Sequence, residues 1–189
     1  KQPVVGLESL RGMKIRGGTR VVNNMLVKLG ATPVGMPVPA VTEALSKGVL
    51  DGTTIPWEVA PALKVHELVK NHTTFAGDKA LYVTTFVVAM NKGAYNKLPA
   101  DLKKIIDDNS GLEFSAMIAR TQDVGDNVGR DLAVKAGNKI TELDVAEVQR
   151  WKRTAGVVES DWINDMKAKN IDGAKLVSDA RAMIAKHAK

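Results

Sequence analysis

The sequence contains no cysteine, and its aromatic residues are limited to three Phe, two Tyr and three Trp among 189 residues. Without cysteine the chain has no disulfides, no thiolate metal ligands and no cysteine nucleophile. So few aromatic rings also argue against a platform for single-stranded nucleic acid, in which successive bases stack on aromatic side chains. These absences remove thiol chemistry and disfavour nucleic-acid binding.

Long apolar runs are absent as well. No stretch of 18 or more apolar residues occurs, so no membrane-spanning helix is predicted. The first ten residues, KQPVVGLESL, lack the basic, apolar and small-residue pattern of a signal peptide, so no cleaved segment is predicted either. Localisation stays open on these grounds, because a mature or truncated chain would also lack a signal.

The formal net charge is +6, but the lysines are interleaved with acidic residues, as in LKKIIDDN and INDMKAKN. This pattern indicates solvated helix faces rather than a nucleic-acid surface. A mildly basic surface is compatible with the capture of small anions.

The first seventy residues alternate between strand-like and helix-like patterns. Met25 and Leu29 belong to an apolar stripe at helical spacing that ends at Gly30, and Pro61 is expected in the first turn of a later helix or at a kink in it. This alternation predicts an α/β fold with a mostly parallel sheet. The predicted order is strand 13–16, helix 20–30, strand 31–37, helix 40–48, strand 49–56 and helix 57–70.

The second half begins with the most strand-like segment of the chain, KALYVTTFVVAMN at 79–91, which is rich in β-branched and aromatic residues. A helical pattern then runs from Pro99 to Gly137. A single helix of that length would be longer than a small domain is wide, so it either crosses more than one packing unit or breaks at a glycine. The candidate breaks are Gly111, Gly125 and Gly129. The tail is predicted as a strand around Ile140, a helix capped by Asp144 and Glu147, and helices over 159–170 and 172–189.

Three segments carry a family resemblance. They read LRGMKIR, then LGATPVGMPVPAVTEALSKGVLDG, then YVTTFVVAMNKGAYNKLPADLKKIID. In order and spacing they resemble the extracytoplasmic solute-binding subunits, the DctP family, of tripartite ATP-independent periplasmic (TRAP) transporters. The three segments cover residues 10 to about 106, and they are specific as a set.

The resemblance implies a periplasmic-binding-protein-like clamshell of two α/β lobes joined by crossing strands, with one long helix across both. Residues 1–80 would form the second lobe and its ligand-binding elements. Residues 81–115 would be a crossing strand and helix of the first lobe, and residues 116–189 would continue the long helix and add C-terminal helices packed on the second lobe. Only nine residues precede LRGMKIR, so the chain is expected to lack most of the first lobe.

Arg16 is the first candidate ligand-binding residue that the resemblance implies, because it occupies the place of the family's carboxylate-binding arginine. Its guanidinium could pair two parallel N–H groups with a carboxylate, which lysine cannot do. Thr19 stands where the family often has a polar group near the carboxylate, and an N-cap role is an equal alternative. Arg20 is expected at the surface.

Further candidates come from the following segments. Val38 would be a wall residue, and Thr54 and Ile55 replace the acidic or amide side chains that some members use for a metal or polar groups. A metal-bridged ligand is therefore not expected, and a less polar organic acid is. Trp57 either closes the pocket by stacking or anchors its helix in the core. Phe86 faces either the cleft or the core, and the core is favoured.

The resemblance predicts a periplasmic protein that captures an organic acid and delivers it to TRAP membrane permease subunits, without a cofactor and without catalysis. His66 and His72 lack the spacing of a helical metal site, and no catalytic motif is present. Two alternatives stay open: a doubly wound α/β enzyme acting on an anion, and the ligand-sensing domain of a regulator. The sequence leaves open which acid binds and how the protein associates.

Overall fold

The computed structural model describes residues 2–77 and 79–187. A three-stranded parallel sheet contains β1 (Lys14–Gly17) in the centre, with β2 (Thr32–Gly35) and β3 (Gly52–Thr53) on its two sides. The predicted parallel α/β arrangement is confirmed. The third strand is shorter than predicted, although the Thr54 N–H still donates to the Arg16 carbonyl at 3.0 Å.

A second parallel sheet pairs β4 (Asn71–Phe75) with β5 (Lys139–Leu143). The strand expected around Ile140 is confirmed. The sequence pattern assigned no strand to 71–75, because Asn-His-Thr-Thr lacks the apolar alternation of a half-buried strand. Its residues are all partly buried, so pairing with a distant segment, not local pattern, makes this segment a strand.

The helices lie between and after the strands, and short 3₁₀ turns occupy 7–10, 38–40 and 57–59. The helix predicted at the end of the chain is present, although residues 188 and 189 lie outside the described part. The helices are α1 (Arg20–Lys28), α2 (Val41–Ser46), α3 (Val65–Leu68), α4 (Lys92–Asn96), α5 (Ala100–Asp108), α6 (Leu112–Lys135), α7 (Val145–Ala155), α8 (Val157–Lys167) and α9 (Gly173–His187).

The single helix predicted over 57–70 is wrong. The chain instead forms the 57–59 turn and the short α3, because Lys64 adopts a left-handed conformation with φ of 54° just before α3. Pro61 lies between the two pieces, where its missing N–H interrupts helical hydrogen bonding.

The strand predicted over 80–91 is also wrong. Lys79 forms an isolated bridge with Phe75, but residues 80–91 form no regular element and pair with no strand among the described residues. Leu81 and Tyr82 pack against the core, whereas Val83, Val87 and Val88 are each more than 80% accessible. A strand requires a neighbour to accept its backbone hydrogen bonds, and none is in place here.

The long helical pattern after Pro99 is broken at Gly111, one of the three predicted positions. Gly111 has φ of 89°, which separates α5 from α6, whereas α6 continues through Gly125 and Gly129. At 1.5 Å per residue, the 24 residues of α6 extend over roughly 36 Å.

One hydrophobic core joins β1, α1, the end of β5, α7 and α8. Leu26 of α1 is 1% exposed, and Trp151 of α7 packs edge-on against Phe75 with ring centroids 5.4 Å apart. Asp144 caps α7 as predicted, accepting from the Glu147 N–H at 2.8 Å. This core fixes β1, and with it the position of Arg16.

Candidate functional site

Arg16 is the third residue of β1 and is only 6% exposed. Its Nε donates to the Met36 carbonyl at 3.1 Å, and its Nη1 lies 3.4 Å from the Thr54 carbonyl. Both acceptors lie just beyond the neighbouring strands β2 and β3. The guanidinium is therefore held at the carboxyl edge of the sheet, where open α/β folds bind ligands.

The Arg16 guanidinium has no carboxylate partner within 4 Å in the described part of the chain. Two neutral carbonyls compensate a buried positive charge only in part. Gly18 lies beside it, and a Cβ at that position would come within 3.3 Å of Nη1 and 3.5 Å of Nη2. The glycine leaves the face of the guanidinium open, so a carboxylate could reach it.

Thr19, Arg20 and Val38 surround this edge. Thr19 is exposed, and its hydroxyl accepts from the Val22 N–H at 3.2 Å as the N-cap of α1. Arg20 is at the surface, as expected, and pairs with Asp165. Val38 begins the 3₁₀ turn after β2 and does not line the large cavity described next. The N-cap role of Thr19 is confirmed, and its role toward a ligand stays a prediction.

A cavity of about 630 Å³ opens between the two sheets and α6. Thr54, Ile55, Trp57 and Phe86 all line it, so the fold brings four of the predicted residues together. Phe86 is 62% exposed, which overturns the preference for a core position. Arg16 does not line the cavity itself, but its main-chain carbonyl accepts from the hydroxyl of the lining residue Thr54 at 3.0 Å.

Trp57 lies against His72 of β4, with ring centroids 4.9 Å apart and planes inclined by 34°. His72 Nε2 is 3.1 Å from the Asn138 side-chain nitrogen. Burial lowers the pKa of His72, and the neighbouring His66 lowers it further. The lowered pKa favours the neutral imidazole, and the Trp57 and His72 rings together form an aromatic part of the cavity wall.

The part of the cavity wall next to Trp57 is acidic. Glu58, Asp123 and Asp126 all line it, and the Glu58 N–H donates to Asp126 Oδ1 at 2.8 Å. Burial raises the pKa of Glu58, and the nearby Asp126 charge raises it further. These carboxylates would repel an anionic group from this part of the cavity.

Two features of the site were not predicted from the sequence: the buried Asn23 side chain beside Gly17, and the packing of residues 57–59 on α6. The Asn23 side-chain oxygen is buried without a hydrogen bond to any described residue, and it lies 2.0 Å from the position that a Cβ on Gly17 would take. Gly17 and Gly35 are paired in register where β1 and β2 end, and paired glycines at strand ends were the available signal. Nothing in the local sequence predicts that residues 57–59 pack on α6.

Within residues 2–77 and 79–187, no group of three or more His, Asp and Glu side chains is arranged to hold a metal ion. Asp107 and Asp108, expected to be solvated, are exposed on α5. No helix of this part of the chain has the length and apolar character needed to cross a membrane.

The sequence profile of the bacterial extracellular solute-binding proteins, family 7 (DctP), matches residues 1–165. The chain belongs to this family. The predicted family is thereby confirmed. The family is one of extracellular solute-binding proteins and not of enzymes, as predicted.

Three relatives of this DctP-family chain are informative. A TRAP solute-binding protein from Rhodoferax ferrireducens, solved with copurified benzoate, is 49% identical with a TM-score of 0.96 over 99% of this chain and 58% of its own. One from a marine metagenome, solved with 3-hydroxybenzoate, is 44% identical with a TM-score of 0.96 over 100% of this chain and 59% of its own. A curated solute-binding protein from Albidiferax ferrireducens is 30% identical over 95% of this chain and 52% of its own.

This DctP-family chain therefore spans between half and three-fifths of the length of these relatives. The matches confirm the predicted fold class over the residues that are shared.

Proposed function

We propose that the chain is the carboxylate-binding portion of a TRAP solute-binding protein, and that Arg16 anchors the carboxylate. The supporting observation is a guanidinium held at the carboxyl edge of the sheet with two carbonyl contacts and no anionic partner in the described part of the chain. An incoming carboxylate would accept paired hydrogen bonds and neutralise the buried charge.

The substrate class that fits best is an aromatic monocarboxylate. The rings of Trp57, His72 and Phe86 line the cavity that adjoins the Arg16 edge, and flat aromatic walls favour a flat ring. Two relatives that are more than 40% identical were solved with benzoate and 3-hydroxybenzoate. The acidic side formed by Glu58 and Asp126 orients such a ligand, with its carboxylate toward Arg16 and its ring toward Trp57.

Delivery to TRAP membrane permease subunits completes the proposed role. Residues 1–80 would form the second lobe, residues 81–115 would pack in the first lobe, and residues 116–189 would continue along both. The exposed apolar side chains of 83–90 support this division, because they need a cover that the described part of the chain lacks. β3 and β4 each lie at the edge of a sheet and line one cavity. Apart from a bridge between Phe75 and Lys79, their outer edges pair with no strand in the described part of the chain, which suits an extended segment from the rest of a longer protein.

Ligand capture in a two-lobed protein works through a shift of populations. A ligand that contacts both lobes binds the closed state more tightly than the open state and so stabilises closure. Arg16 would supply the contact from the second lobe, and the closed state would be the form presented to the permease.

The test is a calorimetric titration of the complete protein with benzoate, 3-hydroxybenzoate, succinate and inorganic phosphate, repeated with Arg16→Lys. We expect an aromatic acid to bind and Arg16→Lys to weaken it at least about tenfold, because lysine cannot make the paired contact. Arg20→Lys, at the exposed pair with Asp165, is the matched control and should leave the affinity unchanged. Equal affinities for the parent and Arg16→Lys, or binding of phosphate alone, would refute the proposal.

A further inference from the structure

The loop of residues 54–58, called here the Trp57 loop, packs directly on one face of α6. A Cβ on Gly129 would lie 2.0 Å from the Trp57 carbonyl oxygen, and a Cβ on Gly125 would lie 2.9 Å from Glu58 Cβ. Between these glycines, Asp126 Oδ1 accepts from the Glu58 N–H at 2.8 Å. One helical face therefore contacts the loop twice by close approach and once by a hydrogen bond.

Gly129 contacts the backbone of the Trp57 loop, and this determines what a side chain at position 129 would do. A side chain at this position cannot be accommodated by rotation of a neighbouring rotamer, because the atom it meets is a main-chain oxygen. Either the loop or the helix must move. Gly129 is also buried, so the helix cannot relieve the clash by turning toward solvent without exposing the buried Ala133 one turn later.

The Trp57 loop carries both halves of the proposed ligand site. At its start, the hydroxyl and the N–H of Thr54 both donate to the Arg16 carbonyl. In return, the Thr54 carbonyl accepts from Arg16 Nη1. At its end, Trp57 forms the wall with His72. A displacement of the loop at Trp57 therefore changes the wall most and the Arg16 end least, because the Thr54 hydrogen bonds to β1 retain that end.

We propose that α6 is the positioning element of the Trp57 loop, acting through Gly125, Asp126 and Gly129, and that it sets the preference of the site for aromatic over aliphatic acids. The inference rests on the proposed function. Gly125, Asp126 and Gly129 are positioning residues, since they act on the ring of the ligand through Trp57. Asp126 also lines the cavity, but its charge acts on the carboxylate that aromatic and aliphatic acids share. A stacked ring is worth about 0.5–1.5 kcal/mol beyond its buried area, which corresponds to about two- to tenfold in affinity.

The experiment compares dissociation constants for benzoate and propionate, which share a carboxylate and differ in the ring. In the complete protein, Gly129→Ala should lower the benzoate-to-propionate preference about two- to tenfold. Val134→Ala, an exposed position on the same helix, is the matched control and should leave the ratio unchanged. Combined with Trp57→Ala, Gly129→Ala should have no further effect on the ratio, because its target is already removed.

A second pair of variants keeps the test decisive if Gly129→Ala fails to fold. Asp126→Ala removes the acceptor for the Glu58 N–H and should lower the ratio, whereas Asp126→Asn retains an amide oxygen at that place and should restore it. An unchanged ratio in folded Gly129→Ala, or in Asp126→Ala, would overturn the inference. If the parent protein binds neither acid, the proposed function itself fails, which is a separate outcome.

Discussion

The Glu147 carboxylate contacts both the start of the chain and a buried indole. Its Oε1 accepts from the Leu7 N–H at 2.8 Å and from Trp151 Nε1 at 2.9 Å, and Trp151 is 5% exposed. The carboxylate thus ties the start of the chain and the buried indole to α7. Because both donors would be left without a partner, its removal should cost more than the loss of an ordinary hydrogen bond.

We expect Glu147→Ala to lower the free energy of unfolding by about 1–3 kcal/mol, measured by urea denaturation. Glu8→Ala is the control, because Glu8 pairs with Arg150 at the surface, where such pairs contribute little. Equal destabilisation by the two substitutions would show that the Leu7 and Trp151 contacts do not carry the stability assigned to them.

The sequence anticipated part of this residue-scale detail. The spacing of Asp144 and Glu147 predicted a capping box, and Asp144 does cap α7. The other half of the box is absent, because Glu147 is turned toward Leu7, 140 residues away in the chain. For Arg16, too, the sequence predicts only part of the detail. The motif identifies Arg16 as a candidate ligand-binding residue, but its contacts with the Met36 and Thr54 carbonyls depend on how three strands meet.

At the scale of elements, Gly111 separates α5 from α6. It has φ of 89° and ψ of −153°, a combination open almost only to glycine. Gly125 and Gly129 occur in the same helical pattern but do not interrupt it, since they serve close packing against residues 57–59. Helical periodicity predicted the helix, whereas the choice among the three glycines depends on contacts that are distant in sequence.

Gly111→Ala should destabilise the α5–α6 junction by at least about 1 kcal/mol, because alanine cannot adopt this backbone conformation without strain. Hydrogen exchange of the amides in the first turns of α6, which would accelerate, provides the measurement. Arg120→Ala, at an exposed position further along α6, should leave exchange nearly unchanged. Unaltered exchange in Gly111→Ala would mean that the junction tolerates another conformation.

Two elements were misread for one physical reason. The strand at 71–75 was missed and the strand at 80–91 was predicted but is unpaired, because pairing partners rather than composition decide both. Polar Asn-His-Thr-Thr becomes a strand beside β5. Apolar YVTTFVVAM forms no strand and is mostly exposed, with no neighbouring strand in the described part of the chain.

For the whole molecule, the central claim is that the edge of the β2-β1-β3 sheet receives a carboxylate at Arg16, with an aromatic ring against the Trp57 wall. The family assignment establishes a solute-binding protein, and the geometry of Arg16 argues for the class of solute. The chain spans 58–59% of its solved aromatic-acid-bound relatives, so the site is best tested in a protein with the full length of those relatives.

The most direct measurement is a crystal structure of the complete protein with 3-bromobenzoate, located by the anomalous signal of the bromine. The account predicts carboxylate oxygens within about 3 Å of the Arg16 guanidinium nitrogens and the brominated ring beside Trp57. A carboxylate bound to another residue, with Arg16 still contacting only the Met36 and Thr54 carbonyls, would contradict it.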